Sequence, residues 1–355
     1  MAHAEAGGSL PVPNVQALAQ NYNISEEPIP ERYIRLEEAA EEVIGGHDVP
    51  YAIPIIDVNK LLDAQSSKEE CAKLGYACRQ WGFFQKILYS AARRSSILGS
   101  SDFCSAIEVA TALWNQKTDV SNLEGYGQLF VVSENQKLDW ADTFYLMLRP
   151  SDSRNMRFWP SYPPPFSNSI DRYSSEAAKL VLCLLQFVAM DMGVEPQTLL
   201  EIFRGQPQSM RMTYYPPCKQ AEKVVGLSPH TDGTGLTLLL QANDVQGLQI
   251  RKDGKWVAIH ALAGAFIVNV GDILEIISNG RYKSIEHRVI VHPSKARMSA
   301  AVFHQPDKDA TIGPLPELVE KDGEASYSSI GYMDFIKRFF AAKLDGRDHL
   351  ESLKH

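Results

Sequence analysis

The segment Leu227-Ser228-Pro229-His230-Thr231-Asp232 sets an imidazole and a carboxylate two residues apart, and another usable imidazole stands at His287. In an extended chain, residues i and i+2 leave the same face, so His230 and Asp232 can reach one ion together. His287 lies in a β-type run, Ser284 to Val291, and can add a third ligand from a neighbouring strand. Two histidines and one carboxylate on one face of a divalent metal leave the opposite positions open for substrate and oxygen, the arrangement of non-haem Fe(II) oxygenases. Taken alone, a His-x-Asp pair is more often a hydrogen-bonded turn than a metal site. The run Arg297-Met298-Ser299 adds weight, because Arg297, Ser299, Ala301 and Phe303 alternate along one strand and share a face. The Arg297 guanidinium is a planar fork matched to the far carboxylate of a 2-oxoacid. Ser299 adds a hydroxyl, Ala301 leaves room and Phe303 sets an aromatic wall. The plain alternative for Arg297 is a surface salt bridge. His3, His47, His349 and His355 fall in polar or terminal segments, and His260, His292 and His304 at strand ends; none of these is read as a ligand.

The elements that must carry these residues follow from periodicity. From Ser209 onward, short β-type runs recur: Met210–Tyr215, Thr237–Leu240, Gly247–Arg251, Trp256–Ile259, Ala265–Val270, Ser284–Val291 and Met298–Phe303. Such spacing predicts a sandwich or barrel. Asp253-Gly254 marks a hairpin, since both central residues of a type I′ turn need positive φ. Upstream, a helix is expected over Val15–Asn21 and another over Ser67–Arg79, with Cys71, Leu74 and Cys78 on one face; a strand follows at Trp81–Phe84. Ser169–Gly193 is the strongest long helix, with a shorter one over Gln197–Phe203. Ser328–Leu344 reads as a C-terminal helix whose Tyr332, Phe335 and Phe339 can cover the barrel mouth.

The chain has 355 residues, is 45% hydrophobic and 22% charged, and carries a net charge of −8 with pI about 5.6. This is globular composition with no basic tract, so nucleic acid and anionic membrane are not expected partners. The first twenty residues lack a secretory pattern. The apolar stretch Ala177–Val194 is broken by Lys179, Gln186 and Asp191, as in a buried amphipathic helix rather than a membrane span. The five cysteines show no CxxC pair, which suits a reducing, cytoplasmic setting.

At this point the motifs resemble those of a known family, the plant soluble 2-oxoglutarate- and Fe(II)-dependent dioxygenases. They are Tyr214-Tyr215-Pro216-Pro217-Cys218, the HTD at 230–232, Gly247-Leu248-Gln249, Asn269-Val270-Gly271-Asp272, Ser278-Asn279-Gly280, EHRV at 286–289 and RMS at 297–299. NVQALAQNYN and IPERYIR in the arm, EGYGQ at 124–128 and QKLDWAD at 136–142 are similar to the senescence-related, norcoclaurine-synthase-like and alkaloid-O-demethylase-like branch. The resemblance implies a mainly β fold, a double-stranded β-helix (jelly-roll) core with flanking helices. It implies iron ligands at His230, Asp232 and His287, and cosubstrate contacts at Arg297, Ser299 and Tyr215. Fe(II) and 2-oxoglutarate are implied, with ascorbate as a supporting reductant, together with a monomer acting on a small molecule and O2. The expected substrate wall is Phe303 with Tyr332. The expected organisation is an arm over 1–50, a mostly helical region over 51–200, a catalytic domain over 205–306 and a helical segment over 307–355.

Two departures stand out. The family often has asparagine where this chain has Thr213. After Trp81-Gly82-Phe83-Phe84-Gln85 the family continues with an Asn-His-Gly segment and an amphipathic helix, whereas this chain turns serine-rich. The spacing to EGYGQ is close to the family's, as an altered reading frame or mispredicted exon across 86–116 would leave it. A peptide from this stretch detected in the protein would refute that explanation.

The expected reaction is oxidation of a small, ring-containing metabolite by hydroxylation, O-demethylation or desaturation, with release of succinate and CO2; no further catalytic side chain is expected beyond the metal centre. Two other classes share parts of this pattern. A metal-dependent hydrolase or metal-binding cupin would use the His/Asp set but has no use for Arg297 and Ser299. A catalytically impaired member would keep the ligands and lose turnover.

Overall fold

The structure is a computed structural model that describes residues 10, 12–24, 28–39, 41–44, 52–87, 124–128, 131, 133–161, 164, 166–341 and 348–355. Of the atypical stretch 86–116, all but its first two residues lie outside the described residues. Two sheets face each other. The larger has eight strands in the order β2-β3-β11-β8-β13-β6-β5-β4, and the smaller five in the order β1-β10-β9-β12-β7. The strands are β1 Val43–Ile44, β2 Ile55–Ile56, β3 Phe83–Ile87, β4 Gly125–Tyr126, β5 Asp142–Arg149, β6 Gln208–Tyr215, β7 Leu227–His230, β8 Leu236–Gln241, β9 Leu248–Lys252, β10 Lys255–Ala258, β11 Ala265–Val270, β12 His287–Val289 and β13 Arg297–His304. Strands far apart in sequence thus alternate within and between the sheets, and the expected jelly-roll core with flanking helices is the architecture found.

Local chemistry explains the main elements. The run Ala265-Phe266-Ile267-Val268-Asn269-Val270 is buried along its whole length, as a central strand covered on both faces requires. Its neighbours are β3 and β8. On the outer face lies the helix Phe166–Met192, whose Ile170, Tyr173, Ala177, Val181, Leu184, Leu185 and Val188 are buried. That spacing gives one apolar stripe on a helix, and Tyr173 meets Phe266 with ring centroids 6.1 Å apart. Between the sheets a second cluster gathers Phe83, Tyr215, Leu248, Ile250, Ile267 and Val289. A third, of Val15, Ala19, Tyr33, Leu138 and Trp140, seals the N-terminal helix Val15–Ile24 onto the rest. The Asp253-Gly254 turn has φ values of 51° and 78° and joins Lys252 to Lys255, the type I′ geometry that matches strand twist.

Several expectations are corrected. Asp142–Arg149 is a full eight-residue strand with strictly alternating burial, which the sequence reading passed over. The run Ser284–Val291 yields only three strand residues, because the pairing with β7 shifts register between His287 and Val289. The C-terminal helix begins at Tyr332, since Ile330 and Gly331 instead pair with Thr311–Ile312. No helix among the described residues is long and apolar enough to cross a membrane.

Candidate active site

The two sheets bring Asp232, His287, Arg297 and Ser299 to one cavity, with His230 on the wall of the adjoining one. Strand β7 ends on His230, which stands opposite His287 of β12. Their ring centroids are 4.2 Å apart. Asp232 lies two residues past His230, and its Oδ1 is 3.7 Å from the Nε2 of each histidine. One ligand atom from each residue lies within 4.8 Å of the others, and no other such group of His, Cys, Asp or Glu occurs among the described residues.

Each ligand is oriented by its surroundings. The Nδ1 of His230 is 2.8 Å from the Ser228 carbonyl and that of His287 is 3.1 Å from the Ile285 carbonyl. A carbonyl can only accept, so Nδ1 carries the proton and Nε2 presents its lone pair to the centre. The Nε2 of His230 is buried with no hydrogen-bond partner, the state of a donor atom waiting for a cation. Asp232 Oδ2 accepts from Thr237 Oγ1 and Asn269 Nδ2, both at 2.7 Å, which turns Oδ1 to the histidines. Burial, followed by the neighbouring His287 ring, holds His230 well below its ordinary pKa. Burial alone would raise Asp232, but the two histidines and the bonds from Asn269 and Thr237 outweigh it and lower its pKa. Both shifts favour the forms a metal needs, neutral imidazole and carboxylate.

The opposite wall comes from the larger sheet. Arg297 pairs with Tyr215 and Ser299 with Thr213 across β13 and β6. Arg297 is 1% exposed, donates from Nη1 to Ser299 Oγ at 3.3 Å, and holds its guanidinium carbon 5.1 Å from the Tyr215 ring centre. Its Nε and Nη2 are buried without partners. Burial pulls the Arg297 pKa down, with Tyr215 acting the other way. A buried cation lacking a carboxylate is costly unless an anion is bound beside it. Asp232, His287, Arg297, Ser299, Tyr215 and Phe303 all line the same cavity. The alternating face Arg297, Ser299, Ala301 and Phe303 therefore points inward as one set.

Tyr332 does not line this cavity. It packs into the outer core with Phe335, its backbone N–H donating to Ala310 O. Phe339 reaches nearer, against Gly233 just past Asp232. His349 is not a solvated terminal residue: it is buried, with Nε2 2.7 Å from Asp272 Oδ2. The same Asp272 oxygen accepts from Thr231 Oγ1 at 3.1 Å. His260 is exposed and remote from the cavity lining. Sequence reasoning also missed Thr237 and the role of Asn269 beside Asp232, although Asn269 stood in a quoted motif.

The motif glycine Gly247 has a steric role here. A Cβ at 247 would stand 2.8 Å from Arg297 Cδ and 2.8 Å from the Ile290 carbonyl. Gly247→Ala must therefore push the guanidinium off its position, at a cost of roughly 1–3 kcal/mol for overpacking. We expect the half-saturating concentration of 2-oxoglutarate to rise several-fold with Fe(II) binding kept. Unaltered cosubstrate dependence would show that the guanidinium position is not critical.

Comparison with known proteins agrees with this geometry. Residues 206–306 match the model of the 2OG-Fe(II) oxygenase superfamily. The chain is 54% identical over 355 residues to 2-oxoglutarate-dependent dioxygenase 11 of Oryza sativa subsp. japonica, covering 100% of this chain and 99% of that relative. It is 42% identical to S-norcoclaurine synthase 1 of Coptis japonica, covering 98% and 97%. Among solved structures, JOX2 in complex with 2OG, Fe and JA superposes with a TM-score of 0.81 at 32% identity, covering 98% of each chain. The chain belongs to the 2OG-Fe(II) oxygenase superfamily, and it is a 2-oxoglutarate-dependent dioxygenase of the plant branch that its motifs resemble.

Proposed function

We propose that His230, Asp232 and His287 hold Fe(II), that Arg297 and Ser299 seat the C5 carboxylate of 2-oxoglutarate, and that Tyr215 also contacts the cosubstrate. The observation that carries this reading is a set of three converging donor atoms, two of them from Asp232 and His287 lining one cavity with a buried guanidinium that has two unpartnered nitrogens. When bound, the iron with 2-oxoglutarate and O2 supplies the oxidising chemistry, yielding succinate, CO2 and an oxidised substrate. The protein's own part is positional. The Ser228 and Ile285 carbonyls fix the two imidazole rings, while Thr237 and Asn269 fix the carboxylate. Arg297 sets the direction of the cosubstrate, and the apolar walls Phe83, Leu239, Leu248 and Val289 keep water out. A hydrolase has no use for Arg297 in this place.

The substrate reading is a small metabolite with an apolar ring, taken by a monomeric enzyme of the cytoplasm. Its support is Phe303, which lines the cavity on the same strand face as Arg297; aromatic walls favour stacked rings. The test is succinate release from 2-oxoglutarate with Fe(II), measured with and without a panel of alkaloid, indole and phenylpropanoid compounds. Stimulation by ring compounds is expected, and none by aliphatic ones. No succinate under any condition would mark an impaired member of the family. Phe303→Ala should lower substrate-stimulated turnover by about tenfold, in line with the ~1.5 kcal/mol of an aromatic pair, and substrate-free turnover far less. Equal losses in both would make Phe303 a support of the fold.

A further inference from the structure

The end of the chain folds back onto the loop that carries Asp232. Ser328 N–H donates to Leu353 O at 2.8 Å and His355 N–H to Ser326 O at 3.1 Å, while Leu350 and Leu353 are buried. These contacts set the short helix Asp348–Glu351 so that the His349 ring meets Phe335 and Phe339 edge-on, with centroids 5.9 and 4.9 Å apart. The Phe339 ring in turn packs on Gly233. Beyond His349 lies Asp272, which ties this region together. Its backbone N–H donates to Asp232 O at 2.8 Å, flanked by Gly271 N–H to Gly235 O at 2.9 Å and Ile273 N–H to Thr234 O at 3.1 Å. A Cβ on Gly271 would stand 2.2 Å from the Thr234 carbonyl oxygen, so the two segments meet at a distance that only glycine permits. The Asp272 carboxylate is fully buried. One of its oxygens, Oδ2, accepts from both Thr231 Oγ1 at 3.1 Å and His349 Nε2 at 2.7 Å. A carboxylate oxygen only accepts, so Nε2 carries a proton. Among the described residues, His349 is the one basic side chain paired with Asp272.

We propose that His349 is a positioning residue for the iron centre, acting through Asp272 and Thr231 to hold Asp232 in its ligating orientation, an inference that rests on the iron reading above. Thr237 and Asn269 fix the Asp232 carboxylate itself. The bridge from His349 through Asp272 fixes the backbone that carries it, on the side of Thr231. Removing the imidazole N–H leaves a buried carboxylate with one side-chain donor, Thr231. Breaking a buried pair in this way is costly, and the carboxylate must turn toward other donors, which frees the Thr231–Asp232 turn. Partners that orient a ligand from behind are the ones whose loss weakens metal binding without touching the metal.

The experiment titrates the full metal-free chain with Fe(II) under anaerobic conditions against a competing chelator, and reads the unfolding midpoint of the same metal-free sample. His349→Phe keeps a ring against Phe335 and Phe339 and removes the donor; it should weaken Fe(II) binding about tenfold, the lower end of what such partners contribute. His349→Gln restores an N–H donor and should stay within about threefold of the wild type, well inside the range expected for losing the contact. Thr231→Val cuts the same bridge from its other end and should also cost about tenfold. The double variant His349→Phe/Thr231→Val should lose no more than the larger single loss, because both act through one carboxylate. Leu350→Ala opens a cavity in the same helix without touching the bridge, so it should lower the unfolding midpoint and leave Fe(II) affinity as it is. Unchanged affinity in His349→Phe or Thr231→Val, additive losses in the double variant, no rescue by His349→Gln, or an equal loss in Leu350→Ala would each overturn the assignment. If His349→Phe does not fold, Thr231→Val alone decides in the same way. If the wild type binds no Fe(II), the iron reading falls and this one with it; wild-type binding with unaffected variants removes His349 alone.

Discussion

Replacing His230, Asp232 or His287 by alanine should abolish tight Fe(II) binding and turnover while the fold persists. Each substitution leaves two donors on an open face. Losing a residue that merely orients a ligand costs 10–100-fold in metal affinity as a rule, so loss of a ligand itself should exceed about 100-fold. The fold should survive because backbone pairing holds the two sheets together, with β12 and its His287 paired on both flanks by β9 and β7. Iron affinity measured anaerobically and the thermal unfolding midpoint together check this. His260→Ala, at an exposed ring away from the cavity, is the control and should behave as wild type. Wild-type turnover at saturating iron in any one of the three variants would remove that residue from the centre.

Arg297→Lys should raise the 2-oxoglutarate requirement by roughly 10–150-fold, the equivalent of about 1.5–3 kcal/mol for a charge-assisted hydrogen bond. The guanidinium is fully enclosed, with two nitrogens free for a ligand and one on Ser299. A lysine ammonium is a point charge that cannot reproduce the parallel pair of bonds. Iron binding in the absence of cosubstrate should be unchanged, because Arg297 lies on the other sheet from the two histidines. A surface salt bridge would have predicted less than about 1 kcal/mol. An unchanged apparent affinity would leave Arg297 without the assigned role.

The parts of this site that were legible in the sequence depend on strand parity. His230 with Asp232, and Arg297 with Ser299 and Phe303, are two-residue repeats, and parity alone puts each set on one face. What parity cannot supply is which strands adjoin. The opposition of His287 to His230, and of Arg297 to Tyr215, is a matter of register between segments tens of residues apart. The strand Asp142–Arg149 carries a clear alternation, yet Asp142 reads in sequence only as the end of the QKLDWAD motif. Asp142 is in fact buried, accepting from the backbone N–H groups of Val15 and Gln16 at 2.9 and 2.7 Å. Tyr332 shows the converse. An aromatic on an amphipathic helix points to the core or to a pocket with equal grace in sequence, and here the packing with Phe335 decides for the core.

The most direct test of the central claim is anaerobic titration of the wild-type chain with Fe(II) and 2-oxoglutarate, followed by visible absorption. The account predicts a charge-transfer band that needs both components, is lost in Asp232→Ala, and in Arg297→Lys appears only at much higher 2-oxoglutarate. A band that is absent from the wild type, or that forms equally well in Asp232→Ala, would contradict it.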